Sequence, residues 1–175
     1  MAGARSGYGW IGVGVLMLAA CNPTYNWREV ALGGTQIKAL LPCKPDRAKK
    51  TVLLNRMRLE MEMAGCELGA ELFVVAHVRL PDEAASAATQ ARWMEITLNN
   101  MRATTHETTA WESRIKGLSR QGIQLAARGR REDGRPLMAR AIWLAQGADL
   151  YQAVVYGDPL TDEVSETFLA GIESR

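Results

Sequence analysis

The chain has 175 residues, 47% of them hydrophobic, with 21 Lys and Arg against 19 Asp and Glu for a formal charge of +2. That length is one domain's worth and enough to bury a core. Charge this near neutrality, with acids and bases interleaved, gives no electrostatic footing for nucleic acid, and no such partner is expected.

Met1 to Tyr8 is short and polar, with one cation at Arg5, and Trp10 to Ala20 (WIGVGVLMLAA) carries no charge. This run of 11 residues is too short for a spanning helix, which needs roughly twenty. Gly12 and Gly14 also weaken it as a long helix. The layout is that of a secretory signal. Leu18-Ala19-Ala20-Cys21 then resembles the lipobox of bacterial lipoproteins. The resemblance implies that the Cys21 thiol takes a diacylglyceryl group, that the signal is cut before it, and that the new amine is acylated. Several acyl chains hold a protein firmly where one holds it marginally. Asn22 follows the cysteine where Asp would retain an enteric lipoprotein at the inner membrane, so the resemblance favours the outer membrane. The competing readings are an ordinary cleaved signal and an uncleaved anchor. The expected division is a signal over 1–20, a short lipidated tether over 21–25 and one domain over 26–175.

With Cys21 assigned to lipid, Cys43 and Cys66 remain. An even pair in an oxidising compartment reads as a disulfide. A metal site or a redox pair is the alternative, although the spacing is far too wide for CxxC.

Trp27 to Leu32 and Gln36 to Leu41 read as strands around a Gly33-Gly34 turn. Pro42 to Ala48 (PCKPDRA) reads as an irregular loop, and Thr51 to Leu54 as the start of a strand. Arg56, Arg58, Glu60 and Glu62 alternate with Met57, Leu59, Met61 and Met63, which predicts an antiparallel strand wet on one face. Gly65 to Ala70 reads as a turn. Glu71 to Leu80 is apolar at both parities up to Ala76 and predicts a central strand. Asp82 to about Ala103 predicts a helix, with an apolar stripe through Ala84, Ala87, Ala88, Ala91, Met94, Leu98 and Met101. Thr104 to Ser119 lacks a pattern and reads as a connection, pinned by Trp111. Ile123–Arg131, Pro136–Ala145 and Leu150–Tyr156 predict a meander, with Asp133-Gly134 its strongest hairpin signal. Asp158-Pro159 is placed to open a last helix over Glu163–Ile172, with Val164, Phe168 and Ile172 on one face.

Segregated strands and helices give an α+β class, a mainly antiparallel sheet with one long helix and a C-terminal helix packed on it. A short hairpin ending in proline (IKALLP) and a closing meander plus helix (LYQAVVYGDPLTDEVSETFLAGI) resemble the PsbP-like α/β/α sandwich over most of residues 26–173. No functional residue follows from that resemblance.

Among chemistry-bearing residues, His77 lies in an apolar strand and reads as structural, and His106 lies in the unpatterned connection. No Ser-His-Asp or Cys-His arrangement, Walker loop, GxGxxG or HExxH occurs. Met57, Met61 and Met63 share a face and would suit Cu(I), but an inward strand face reads first as core. Arg128, Arg130, Arg131 and Arg135 flank the Asp-Gly turn and are candidates for contact with phosphate oxygens of an anionic surface. The acid pairs of PDE and TDEVSE match helix N-termini, where they complement the dipole. The resulting expectation is a lipid-anchored, periplasm-facing envelope protein, non-catalytic, without a cofactor, binding an envelope protein partner that the residues do not name. A carrier of a small ligand or copper is the alternative, and an enzyme comes after it.

Overall fold

A strand that alternates apolar and charged residues must find a partner on each edge and a cover on one face. The computed structural model shows how this chain does so for residues 25–32, 34–112, 115, 118 and 121–174. The expected signal, the lipobox-like stretch with Cys21, the expected tether up to residue 24 and Gly33 lie outside the described residues. In chain order the elements are β1 (Arg28–Ala31), β2 (Ile37–Leu41), β3 (Asp46–Leu54), β4 (Met57–Leu68), β5 (Glu71–Arg79), α1 (Ser86–Asn100), β6 (Thr105–Trp111), β7 (Gly122–Arg130), β8 (Pro136–Gln146), β9 (Asp149–Gly157), α2 (Asp162–Ala170) and β10 (Glu173–Ser174).

The fold is α+β. Seven strands pair antiparallel in the order β3-β4-β5-β9-β8-β7-β6, and β1, β2 and β10 form a second, three-stranded sheet. The large sheet is two meanders, β3-β4-β5 and β6-β7-β8-β9, joined where β5 pairs with β9 from Leu72↔Tyr156 to Arg79↔Asp149. β5 is therefore central, as its two-sided apolar pattern requires. On one face Phe73 and Val75 pack with Ile37 and Leu41 of β2 and Phe168 of α2. Phe73 and Phe168 meet edge to face at 5.3 Å. On the other face Ala76 and Val78 pack with Trp143 of β8 and Trp93 of α1. The β4 alternation has the predicted inward face, since Leu59 and Met61 are buried there and Met57 and Met63 pack against the same cluster. Its charged face turns apolar beyond Glu62, where Ala64 and Cys66 pass into the cluster that holds the small sheet.

Two close passages fix the outline. Asn55 and Arg56 both have positive φ, 48° and 64°, the backbone of a two-residue hairpin loop matched to strand twist. A Cβ on Gly129 would stand 2.1 Å from the Met101 carbonyl oxygen, so only glycine lets β7 run against the end of α1. The Arg130 N–H donates to that same oxygen at 2.9 Å.

Several expectations are corrected. The loop expected through Ala48 gives way to β3 at Asp46, because the β4 ladder reaches it at Asp46↔Gly65. The turn expected from Gly65 starts only after Leu68, since β4 continues along β5 to Leu68↔Glu71. The connection expected over 104–119 contains β6, paired with β7 from Thr105↔Arg128 to Trp111↔Gly122. β6 is exposed on both faces up to Ala110, so no burial pattern marked it. The last helix starts at Asp162 with Thr161 as its N-cap, beyond Asp158-Pro159, and the chain past it adds β10 to β2.

The long helix exists, but it turns a different face inward. Ala84, Ala87, Ala88 and Ala91 are exposed, and the buried positions are Ser86, Thr89, Gln90, Trp93 and Thr97. One tryptophan removes more apolar area from water than several alanines. The flanking hydroxyls are cheap to bury because they bond within the protein. Thr89 Oγ1 donates to the Ala85 carbonyl at 2.8 Å and Thr97 Oγ1 to the Trp93 carbonyl at 3.0 Å. Gln152 Nε2 of β9 donates to Thr97 Oγ1 at 3.0 Å. The buried Gln90 amide, in contrast, has no hydrogen-bond partner among the described residues.

Three predictions follow from this packing. Gln90→Leu removes an unsatisfied buried amide and is expected to raise stability by about 1 kcal/mol, read as a higher urea midpoint at unchanged slope. Cys43 and Cys66 are bonded, 23 positions apart, and reduction is expected to cost about 3 kcal/mol on the loop-entropy model, read by denaturation with and without reductant. Burial holds the Tyr156 phenol up at about 12 against an ordinary 10.0. The unfolded chain then ionises first, so stability is intact below pH 10 and falls as pH rises toward 12. Tyr156→Phe is expected to flatten that alkaline decline in a pH series of thermal melts.

Candidate functional site

α2 is short and packs over β8 and β9, and this leaves the same sheet face open on β7 and β6. Antiparallel partners point to one side, so Thr105, Glu107 and Thr109 of β6 share this face with Gln124, Ala126 and Arg128 of β7. The result is a trench with a sheet floor, walled by α2 on one side and bounded by edge strand β6 on the other. Three cavities of about 310, 280 and 330 Å³ lie along it. They are continuous, since Glu107, Ala126 and Arg140 line the first two and Gln124, Glu166 and Leu169 the last two. Small Ala126 keeps the floor low. One end carries Arg128, and the other carries Trp111, Glu112 and Glu173. Arg140 Nη2 donates to Asp162 Oδ1 at 2.8 Å and so ties the floor to the start of α2.

The two sheet edges differ. β3 carries Arg47, Lys49 and Lys50 on its exposed length, the charged protection that discourages strand addition. Lys49 also bridges Glu60 and Glu62 of β4. β6 reads THETTAW, without lysine or arginine. Its threonines and tryptophan favour extended pairing, and β7 is its one strand partner among the described residues.

The arginines singled out from the sequence gather at one corner, and two of the four are engaged with backbone. Arg130 Nη1 donates to the Gly134 carbonyl at 3.0 Å and Arg131 Nη2 to the Ala70 carbonyl at 3.4 Å. Arg135 pairs with Asp133 at 2.7 Å. The Arg135 N–H and guanidinium hold the Asp133 carboxyl below its usual range. Arg128 alone of the four lines the trench. Arg102, which the sequence did not suggest, reaches the hairpin through the Glu132 carbonyl at 3.4 Å.

His77 is buried and sits in a clamp. Asp149 Oδ1 lies 2.8 Å from His77 Nε2, and its other oxygen accepts from Arg79 at 2.7 Å. The imidazole stacks on Tyr151 at 4.9 Å. Burial pushes the Tyr151 phenol up, while the hydrogen-bonded Thr35 pulls it back. These contacts tie both strands of the β5–β9 joint at its far end. His106 is on exposed β6, in contact with the trench cavity at the Arg128 end. The methionine face lies in the core under α1. Among the described residues no group of three or more His, Cys, Asp or Glu is placed to hold a metal.

The start of the domain is pinned. Tyr25 donates from its phenol to Glu71 Oε2 at 3.0 Å and stacks with Trp27, and Trp27 meets Phe73 edge-on. Burial first, and then Glu71, push the Tyr25 phenol up.

Sequence reasoning missed the trench because its lining is divided among β6, β7, β8 and α2, each of which contributes only part of it. The available signal was the Thr-rich run without alternation, the mark of a strand with both faces wet. Among the described residues no helix is long and apolar enough to cross a membrane.

No family model matches this chain, and no curated protein matches it. Solved structures do. One is the crystal structure of PA94 from Pseudomonas aeruginosa, a protein of unknown function, at 16% identity and a TM-score of 0.42, over 85% of this chain and 97% of that one.

Proposed function

We propose that this chain is a lipid-anchored, periplasm-facing domain of the bacterial envelope, outer membrane in preference to inner. On this reading it is non-catalytic and binds a protein partner along the trench between α2 and β6. The anchor rests on Leu18-Ala19-Ala20-Cys21, placed after an uncharged apolar run. The Cys43–Cys66 bond lends support, because it suits an oxidising compartment and leaves Cys21 as the odd cysteine. A helix against each face of an antiparallel sheet also agrees with the resemblance to the PsbP-like sandwich.

The observation that carries the binding role is the contrast between the two sheet edges. An extended segment added to β6 would gain main-chain hydrogen bonds, and alternate side chains would settle on the trench side of the sheet. Glu107, Arg128 and Arg140 there supply polar selection.

Two measurements test this reading. Intact mass of the membrane-extracted protein is expected to match a chain starting at acylated Cys21, with Cys43 and Cys66 refusing alkylation until reduced; an unlipidated full-length mass sinks the anchor. A photo-crosslinking residue at Thr109 is expected to yield a discrete adduct in cells that Ala126→Trp, filling the floor, reduces at least tenfold. Adducts indifferent to that substitution, or equal yield from a crosslinker on β3, would remove the trench from the binding role.

A further inference from the structure

The first described residue and the arginine corner are at the same end of the sheet, bonded to two consecutive residues. Tyr25 is hydrogen-bonded to Glu71 at 3.0 Å, and Arg131 is hydrogen-bonded to Ala70, the preceding residue, at 3.4 Å. The ladders explain why. β5 starts at this end, β9 finishes there at Leu72↔Tyr156, β8 starts there at Met138↔Gly157, and β7 finishes there at Arg130↔Pro136. α1 also finishes there, which brings Arg102 to the hairpin. The corner therefore holds Arg102, Arg128, Arg130, Arg131 and Arg135 against Glu132 and Asp133 of the hairpin and Glu71 and Asp158 at the adjoining strand ends, five cations against four anions.

We infer that this corner docks on the headgroup phosphates of anionic phospholipid in the leaflet that holds the anchor, so that the domain sits on the membrane in one orientation. The inference rests on lipidation at Cys21. From Cys21 to Tyr25 the chain spans four residues, at most about 14 Å when fully extended, and Tyr25 is fixed by Glu71 and by Trp27, which in turn packs on Phe73. A tether of that reach is less than about two Debye lengths of 8–10 Å, so its less extended conformations bring the root of the domain within electrostatic range of the headgroups. The hairpin beside the root is then held there too. The guanidiniums of Arg102, Arg130, Arg131 and Arg135 each engage a carbonyl or Asp133 with part of a five-donor fork, and planar forks suit phosphate oxygens. Tyr25 and Trp27 at the root are the aromatic types that favour the membrane interface. In this orientation the Arg128 end of the trench faces the lipid, and the Trp111 end opens away from it.

The test uses the extracted, mass-verified protein in vesicles of phosphatidylcholine alone and of phosphatidylcholine with about one third phosphatidylglycerol. Amide hydrogen exchange is followed across 128–136 and, as reference, across the β8–β9 turn at the opposite end. Exchange in 128–136 is expected to slow only in the anionic vesicles and to recover in high salt. The ratio of docked to free protein is expected to fall about fivefold for each of Arg128→Gln, Arg130→Gln and Arg135→Gln, on ~1 kcal/mol per cation at an anionic surface. Each variant is compared with itself in neutral vesicles, so local fraying of the hairpin cancels. Equal exchange in the two vesicles with an acylated mass overturns the docking and leaves the anchor standing, as does protection at the β8–β9 turn instead. A mass without acylation takes down both.

Discussion

Everything in this molecule depends on the ladder between β5 and β9. Each meander can form from neighbours in sequence, but neither covers a core alone. Joined from Leu72↔Tyr156 to Arg79↔Asp149, they make one sheet wide enough to be covered on both faces. Phe73, Val75, Val78, Val154 and Val155 around the joint are almost wholly removed from water. The joint is also where polar groups are spent, since Asp149 holds His77 and Arg79 together across it. The histidine acts there as a cross-strand tie. Its ring is stacked and its Nε2 is engaged, which fits a structural role.

The joint also decides where the open surface lies. Once β5 and β9 are central, β3 and β6 become edges, and the two edges meet that exposure differently. β3 is blunted with cations, whereas β6 presents threonines and a half-buried Trp111. α1 crosses from the end of β5 to the start of β6 on one face, and α2 with the small sheet covers the other face only in part. The trench is the part of that second face left uncovered by a helix of nine residues. Its small floor, its polar walls and the charge separated toward its two ends are what the proposed recognition role draws on.

The proposed role and the proposed orientation are linked through the first described residues. Tyr25 and Trp27 belong to the core edge, and the tether before them is short, so whatever holds Cys21 also holds this end of the sheet. An anchor at that point would leave the trench running away from the membrane toward the periplasm, with β6 the edge strand among the described residues.

Strand and helix placement was largely readable from local order. The alternation of Met57 to Met63, the two-sided apolar run of Glu71 to Leu80 and the Asp133-Gly134 turn each reflect a period or a backbone need that neighbours in the chain fully express. The pairing of Cys43 with Cys66 was likewise legible, as the even pair that remains once Cys21 is set aside. Other features waited on tertiary packing, because burial is a property of partners. The alanine stripe lost the inner face of α1 to Trp93, whose area outweighs it once the sheet lies beneath. β6 showed no periodicity because neither of its faces is covered. The Gly65–Leu68 segment became strand because β5 was there to pair with it. The trench exists only where β6, β7, β8 and α2 meet, and the approach of Arg131 to the end of the sheet that holds Tyr25 is set by three ladders that no local stretch of residues encodes.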